Sequence, residues 1–356
     1  MSLTDILHRA WQRKGLLSTL LLPLSWLLEM VVRYKRRRFR HRPELGYQST
    51  LPVIVVGNIY VGGTGKTPVV IALVQALQAR GWQPGVISRG YGATVGDHPR
   101  TGQGQLDPAN FGDEPALIAQ ATQVPVAVHP KRSQALQQLR HTYPQIDIVV
   151  ADDGLQHLAL GRDLEIVVQD ARGTGNGRVL PAGPLREPVD RLQDIDILIT
   201  NLQPGQIAPA PANTRARQLC MHLAPVKVEQ LSTGLTLDWA TWHGQHARQT
   251  MNAVAAIGQP ERFFAMLRAT GLQLTQTVAL PDHDAYAISP FSALPDAMIL
   301  ITGKDAVKCR RFNDERLWAV YAEPVFSDPE WLDYCHDRAT AIAAQKTGMA
   351  DEPRRH

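Results

Sequence analysis

Residues 53–72 read VIVVGNIYVGGTGKTPVVIA, a β-branched run, a glycine loop and then a helix-forming stretch. That order gives the loop its chemical meaning. Backbone N–H groups freed by Gly62, Gly63 and Gly65, with the N-terminus of the following helix, can cradle the β- and γ-phosphates of a nucleotide. Lys66 would neutralise those phosphates, and the Thr67 hydroxyl suits Mg²⁺. Tyr60, Val61 and Thr64 complete the nucleotide-binding segment from Tyr60 to Thr67. Tyr60 stands where the pattern G-x-x-x-x-G-K-[ST] begins with glycine, so the opening turn must differ.

A cation held by Thr67 needs acidic partners at the end of a neighbouring strand. The run IDIVVADDGLQH (Ile146 to His157) supplies Asp152 and Asp153 there, and either could be the ligand. SRGYG (Ser88 to Gly92) and FGDEP (Phe111 to Pro115) follow other strands and point to the same crevice, at the C-terminal edge of the sheet. Phosphoryl transfer to a hydroxyl benefits from a carboxylate that takes the proton; Asp113 or Glu114 could serve. The same two acids could equally cap their helix and favour its dipole.

Positioning these groups requires an α/β scaffold. From residue 51 the chain alternates short apolar runs (53–56, 85–88, 126–128, 146–151, 165–168, 195–200) with helical stretches over 68–80, 113–122 and 130–140. This predicts a P-loop NTPase-like parallel sheet covered by helices on both faces, spanning residues 43–202. Residues 203–250 open with QPGQIAPAPA and continue with VKVEQL and LTLDWATW, which reads as an extended two-stranded linker. A second, smaller α/β domain follows over 251–345, and residues 346–356 read as a disordered tail.

The 356 residues carry a formal charge of +4, unevenly spread. Residues 1–42 hold ten Lys/Arg against two acids, so the rest of the chain is net acidic. That excludes a nucleic-acid-binding body. Three cysteines without C-x-x-C spacing exclude a disulfide scaffold or cysteine-built zinc site and fit a reducing compartment.

Within the N-terminal segment, Leu17, Leu20, Leu21, Leu24, Leu27, Leu28 and Val31 fall on one helical stripe, opposite Ser18, Ser25 and Glu29. Seven cations follow between Arg33 and Arg42, where a secretory signal would have a cleavage site. At about 1 kcal/mol per cation near an anionic leaflet, they could rival the leucine burial. The segment reads as an amphipathic helix lying on the inner face of a membrane. Packing of the leucine face on the protein's own core, or a spanning helix, are the alternatives.

The motifs VGNIYVGGTGKTP, SRGYG, GDEP, HPKR, DDGLQH, LPAGPLREP, PDHDAY and TGKDAVK occur in an order that resembles the tetraacyldisaccharide 4′-kinases, the lipid A 4′-kinases, from the N-terminal helix to about residue 340. The resemblance implies Mg²⁺-dependent transfer of the ATP γ-phosphate to the 4′-hydroxyl of a tetraacylated glucosamine disaccharide 1-phosphate. It places the enzyme at the cytoplasmic face of a bacterial inner membrane, peripheral or monotopic, with no nucleic-acid partner and no obligate protein partner evident. It further implies Lys66 and Thr67 for ATP and Mg²⁺, Asp152 or Asp153 near the metal, and Asp113 as the base, helped by His283. Glu114, Gln156, Arg186 and Glu187 would lie near the reacting groups, with Asn58, Arg89, Tyr91 and His157 as acceptor or nucleotide contacts. Family members commonly carry Glu where this chain has Gly303.

A rival is a membrane-bound ATPase switch of the partitioning type, which also joins such a loop to an amphipathic helix. Those proteins place a lysine immediately before the two glycines, and Val61 stands there. A GTPase or metallochaperone would show an N-K-x-D element or a Cys/His cluster, and neither is present in the sequence.

Overall fold

The computed structural model describes residues 11, 13–91, 93, 96–281 and 284–351. They form two compact units: Met1–Asn201 with Ala208–Cys220 and Ser327–His356, and Leu202–Ile207 with Met221–Phe326.

The first unit is built around a sheet of seven strands: β1 (Val53–Gly57), β2 (Pro84–Ser88), β3 (Arg100–Gly102), β4 (Val126–Val128), β5 (Ile148–Asp152), β6 (Leu164–Asp170) and β7 (Ile197–Asn201). Their order is β3-β4-β2-β5-β1-β6-β7, parallel except for the short edge strand β3. Near-continuous β-branched runs, buried on both faces, are what a parallel sheet requires. Val53, Val55, Val149, Ala151 and Val167 pack with Leu136 and Leu139 into one core cluster.

Helices of this unit begin with α1 (Leu16–Leu20) and α2 (Leu22–His41). Pro23, in the first turn of α2, lacks an N–H for α1 to extend through, and the chain turns at Leu21. The stripe is amphipathic as expected, but its orientation is the reverse of a core-packed helix. Ser18 and Ser25 are 1% and 2% exposed, whereas Leu20 and Leu24 stand 77% and 56% exposed. Ser18 Oγ donates to Ala182 O, and Ser25 Oγ donates to Val179 O at 2.9 Å while accepting from Ala182 N at 2.9 Å. The leucine face therefore does not pack on the protein's core. No helix among the described residues is long and apolar enough to cross a membrane.

Then come α3 (Lys66–Ala79), α4 (Pro108–Phe111), α5 (Asp113–Thr122), α6 (Arg132–Thr142) and, at the C-terminus, α10 (Trp331–Asp351). Residue 346, where a disordered tail was expected to begin, is helical instead: Lys346 Nζ donates to Asp163 Oδ2 at 2.6 Å and to Leu51 O at 2.9 Å, and the helix runs on to Asp351.

The second unit holds β8 (Arg217–Gln230, its first four residues in the first unit), β9 (Thr236–Asp238), α7 (Trp239–His246), β10 (Thr250–Ala255), α8 (Pro260–Ala269), β11 (Gln273–Ala279), β12 (Ile299–Thr302), α9 (Gly303–Cys309) and β13 (Leu317–Phe326). Strands β11, β10, β12 and β13 lie parallel in that order, with β8 antiparallel to β13 and β9. The ribbon expected from VKVEQL and LTLDWATW is thus part of this sheet. Its second run switches to helix at Asp238, whose side chain accepts from Thr241 N and caps α7.

A candidate nucleotide-binding active site

Strand β1 ends at Gly57, and the chain then forms the phosphate loop before entering α3. Gly62 (φ 99°) and Gly65 (φ 90°) occupy the left-handed region, which explains glycine at both. A Cβ at Gly62 or Gly63 would meet nothing within 4 Å, so the loop's outer side is open to a ligand. Asn58 straps the loop from within: fully buried, it donates from Nδ2 to Gly62 O at 3.0 Å and to Thr64 Oγ1 at 3.4 Å. From β7, Asn201 Nδ2 donates to Thr64 O at 3.1 Å. Tyr60 is buried, bridges to Leu185 and lies under the Arg172 guanidinium at 4.2 Å, so its ring braces the opening turn where a glycine was expected. Helix α3 starts at Lys66, two residues before Pro68, which its first turn accommodates.

Parallel pairing sets Asp152, the last residue of β5, beside Val56 of β1. Its neighbour Asp153 adopts φ 48°, a left-handed conformation that Asp tolerates better than most residues. Lys66 Nζ lies 3.3 Å from Asp153 Oδ1, and Arg186 Nη1 lies 3.4 Å from Oδ2. Burial opposes ionisation of Asp153, yet Lys66 and Arg186 hold its carboxyl below the ordinary range.

Asp152 has a different environment. It is 1% exposed; Ser88 Oγ donates to its Oδ2 at 2.9 Å, and its Oδ1 has no protein partner. Burial first, then the charge of Glu114, pushes its pKa up to about 6, against the pull of Lys66.

The segment carrying Arg186 and Glu187 is tied to the phosphate loop by backbone bonds, Val61 N to Pro184 O at 2.9 Å and Arg186 N to Ile59 O at 2.7 Å. Gln156 joins the parts. Its Nε2 donates to Asn58 O at 2.9 Å and to Glu187 Oε1 at 2.8 Å, and its Oε1 accepts from Arg186 Nη1 at 3.4 Å. Both amide protons are therefore spent on the protein, as are those of Asn58. The amide nitrogens of both residues thus hold the frame of the loop, while Asn58 Oδ1 has no protein partner.

Glu187 is buried, and that burial raises its pKa despite Arg191. His157 is held to about 4 by burial and by Arg132, Arg162 and Arg89, so it is neutral at physiological pH. Asp113 and Glu114 occupy the first turn of α5. Gly112 (φ 89°) precedes them, and a Cβ there would fall 2.7 Å from Tyr91 O, which brings the SRGYG and GDEP segments together. The side chains of Arg89 and Tyr91 are exposed. His283 lies outside the described residues.

Two arginines join the site without having been singled out as site residues by the sequence. Buried Arg132, from HPKR, donates to His129 O at 3.0 Å and to Asp153 O at 3.3 Å. Burial lowers its pKa to about 10, which leaves it charged. Arg172, paired with Asp170, donates to Gly63 O at 3.4 Å. Only the motif HPKR signalled the first; Arg172 depends on a contact 109 positions away. In the second unit, a Cβ at Gly303 would fall 2.7 Å from the Tyr321 ring, so any side chain there would require the ring to shift.

A glycine loop between a buried parallel strand and a helix, with two acids at the adjoining strand end, defines a nucleotide-binding α/β protein of the P-loop class. The family model described as tetraacyldisaccharide-1-P 4′-kinase matches residues 17–338, and the chain belongs to that family. It is 53% identical over 332 residues to a tetraacyldisaccharide 4′-kinase of Bordetella parapertussis, covering 93% of this chain and 95% of the relative. To the enzyme of that name from Herminiimonas arsenicoxydans it is 44% identical, covering 90% and 91%. A crystal structure of LpxK from Aquifex aeolicus in complex with ATP superimposes with a TM-score of 0.74 at 25% identity, covering 92% of this chain and 99% of that one.

Proposed function

We propose that this chain transfers the γ-phosphoryl group of ATP to the 4′-hydroxyl of a tetraacylated glucosamine disaccharide 1-phosphate, a step of lipid A biosynthesis. The observation that carries this reading is the placement of the open phosphate loop beside Asp152 and Asp153, in a chain of this family. Lys66 exchanges its ion pair with Asp153 for the β- and γ-phosphates, while Gly62, Gly63 and the start of α3 supply N–H donors. Thr67 and Asp152 suit Mg²⁺: the partnerless buried Oδ1 of Asp152 is the kind of orphan a hard cation satisfies. A bound Mg²⁺ neutralises phosphate charge and orients the transferred group.

Asp113 takes the proton of the 4′-hydroxyl as its oxygen bonds to the γ-phosphorus and the bond to the ADP oxygen breaks. His283 assists it. Arg186 and Arg132 oppose the negative charge that collects on the phosphoryl oxygens, and Glu187, Gln156 and Asn58 fix their frame. Arg89, Tyr91, Glu114 and the neutral His157 remain for acceptor or nucleotide contacts. The first unit is the kinase domain and the second a smaller α/β domain; the bounds differ from the expected 43–202 and 251–345, because β9 and most of β8 belong to the second unit and the C-terminal helix α10 to the first.

Helices α1 and α2 lie on the anionic cytoplasmic leaflet of the inner membrane, leucines inward. Leu16, Leu20, Leu24 and Leu27 form an exposed apolar surface beside Trp26 and Met30. Lys35, Arg37, Arg38 and Arg42 are exposed beyond it; Arg33, Arg36 and Arg40 are engaged by Asp190 and Asp194. Fewer cations than the seven counted in sequence thus serve the lipid.

Incubating the protein with γ-labelled ATP, with and without the disaccharide lipid, tests this. Label must enter the lipid; label released as inorganic phosphate whether or not lipid is present would identify an ATPase switch instead.

A further inference from the structure

The 3₁₀ turn Val189–Asp194 follows directly on the site-lining Arg186 and Glu187 and has two working faces. Outward, Asp190 pairs with Arg33 and, at 3.3 Å, with Arg36, and Asp194 pairs with Arg36 at 2.5 Å and Arg40 at 3.5 Å. Inward, Arg191 is 3% exposed and lies between two buried carboxylates: it hydrogen-bonds Glu165, and its Nε lies 3.2 Å from Glu187 Oε2 as an ion pair without hydrogen-bond geometry. The other oxygen of Glu187 holds Gln156, whose carbonyl reaches Arg186, which in turn faces Asp153.

A buried ion triad is a poor way to gain stability, since desolvation offsets most of the attraction. What it does supply is a fixed geometry. Arg191's planar fork can engage two carboxylates at once, which a lysine's single ammonium does less well.

We propose that Arg191 is a positioning residue for phosphoryl transfer: it fixes the Glu187 carboxylate, which orients Gln156 and, through it, the Arg186 guanidinium opposite Asp153. The inference rests on the kinase reading of this site. Glu187 is faced by Arg191, Glu165, Arg36 and Arg162 and by the Gln156 amide. Without Arg191, Glu187 confronts Glu165 with less opposing charge, and burial drives it toward the protonated form. Gln156 then loses its charged acceptor, and Arg186 loses its anchor.

The test compares full-length Arg191→Met, Arg191→Lys and the double variant Glu187→Gln/Arg191→Met, each verified as folded by circular dichroism. Arg191→Met is expected to lower kcat by about 10–100-fold, the scale of a misplaced catalytic group, with KM for ATP little changed. The acidic limb of its kcat profile moves to higher pH, Arg191→Lys recovers part of both effects, and the double variant loses the displaced limb. A folded Arg191→Met with wild-type kcat and pH profile overturns the inference, as does lost activity with an unmoved limb. A crystal structure of Arg191→Met gives a reading independent of activity: Arg186 swung away from Gln156 supports positioning, and an unmoved Arg186 refutes it. Wild-type protein that places no phosphate on the lipid would instead sink the functional reading and leave the Arg186 result to decide this one.

Discussion

Ser25 and Ala182 meet in the seam between α2 and the 176–187 segment, where Ala182 N donates to Ser25 Oγ and that hydroxyl in turn donates to Val179 O. Because the polar face of the helix docks, its apolar face is left outside, and a membrane is the solvent that would favour it there. Replacing Leu20, Leu24 and Leu27 together by Asp should lower partitioning onto anionic vesicles at least about tenfold, given 1.5–3 kcal/mol per buried leucine. Unfolding temperature should hardly change, since these side chains are exposed. Vesicle co-sedimentation checks this, and equal partitioning would return the leucine face to an ordinary surface.

Lys66→Ala removes the phosphate cation and leaves Asp153 with Arg186 as its remaining ion-pair partner. Transferase activity should fall by about 10²–10³, as for loss of one charge-stabilising group, with the fold retained. Circular dichroism and an initial-rate assay on the same preparation decide it; unchanged transfer by a folded variant removes the phosphate-loop assignment.

Asp113 heads α5, and its role as proton acceptor separates from a capping role by kinetics. Asp113→Ala should lower kcat by about 10²–10⁴ with ATP affinity retained. Near-normal turnover in a folded variant would mean that Asp113 serves its helix alone.

The raised pKa of Asp152 carries a sign. The folded form holds its proton up to about pH 6, above the usual value near 3.8, so this residue stabilises the fold at acid pH and costs stability as pH rises through that window. Asp152→Asn should therefore stabilise the ligand-free protein at pH 7–8, by up to about 3 kcal/mol, while abolishing Mg²⁺-dependent transfer. The stabilisation should vanish below about pH 4. Thermal denaturation at the two pH values checks it; a destabilised variant at pH 8 would show that Asp152 is ionised and satisfied in the free protein.

What could be read from sequence was what neighbouring residues determine. A β-branched run before Gly62–Thr67 fixes strand, loop and helix locally, and the acids closing β5 fall beside β1 because parallel strands end together. Arg172 reaches Gly63 across 109 positions and Arg191 reaches Glu165 across 26, which no spacing rule predicts; the Arg191–Glu187 pair has i,i+4 spacing, but nothing local marks it as buried beside the site. The N-terminal stripe revealed amphipathicity but not which side docks. That was settled by two serine hydroxyls meeting backbone groups of the Val179–Ala182 turn. The resemblance places Gln156 and Asn58 near the ligands; their amide nitrogens hold the frame, while Asn58 Oδ1 has no protein partner.

On the kinase reading, the γ-phosphoryl group of ATP leaves this phosphate loop for one particular hydroxyl of a lipid sugar. Phosphorus NMR of the lipid recovered after incubation with ATP and Mg²⁺ tests it directly. A new phosphomonoester at C4′ is expected, absent when Lys66→Ala replaces the wild type. Unaltered disaccharide 1-phosphate alongside full ATP hydrolysis, or phosphate at another position, would contradict it.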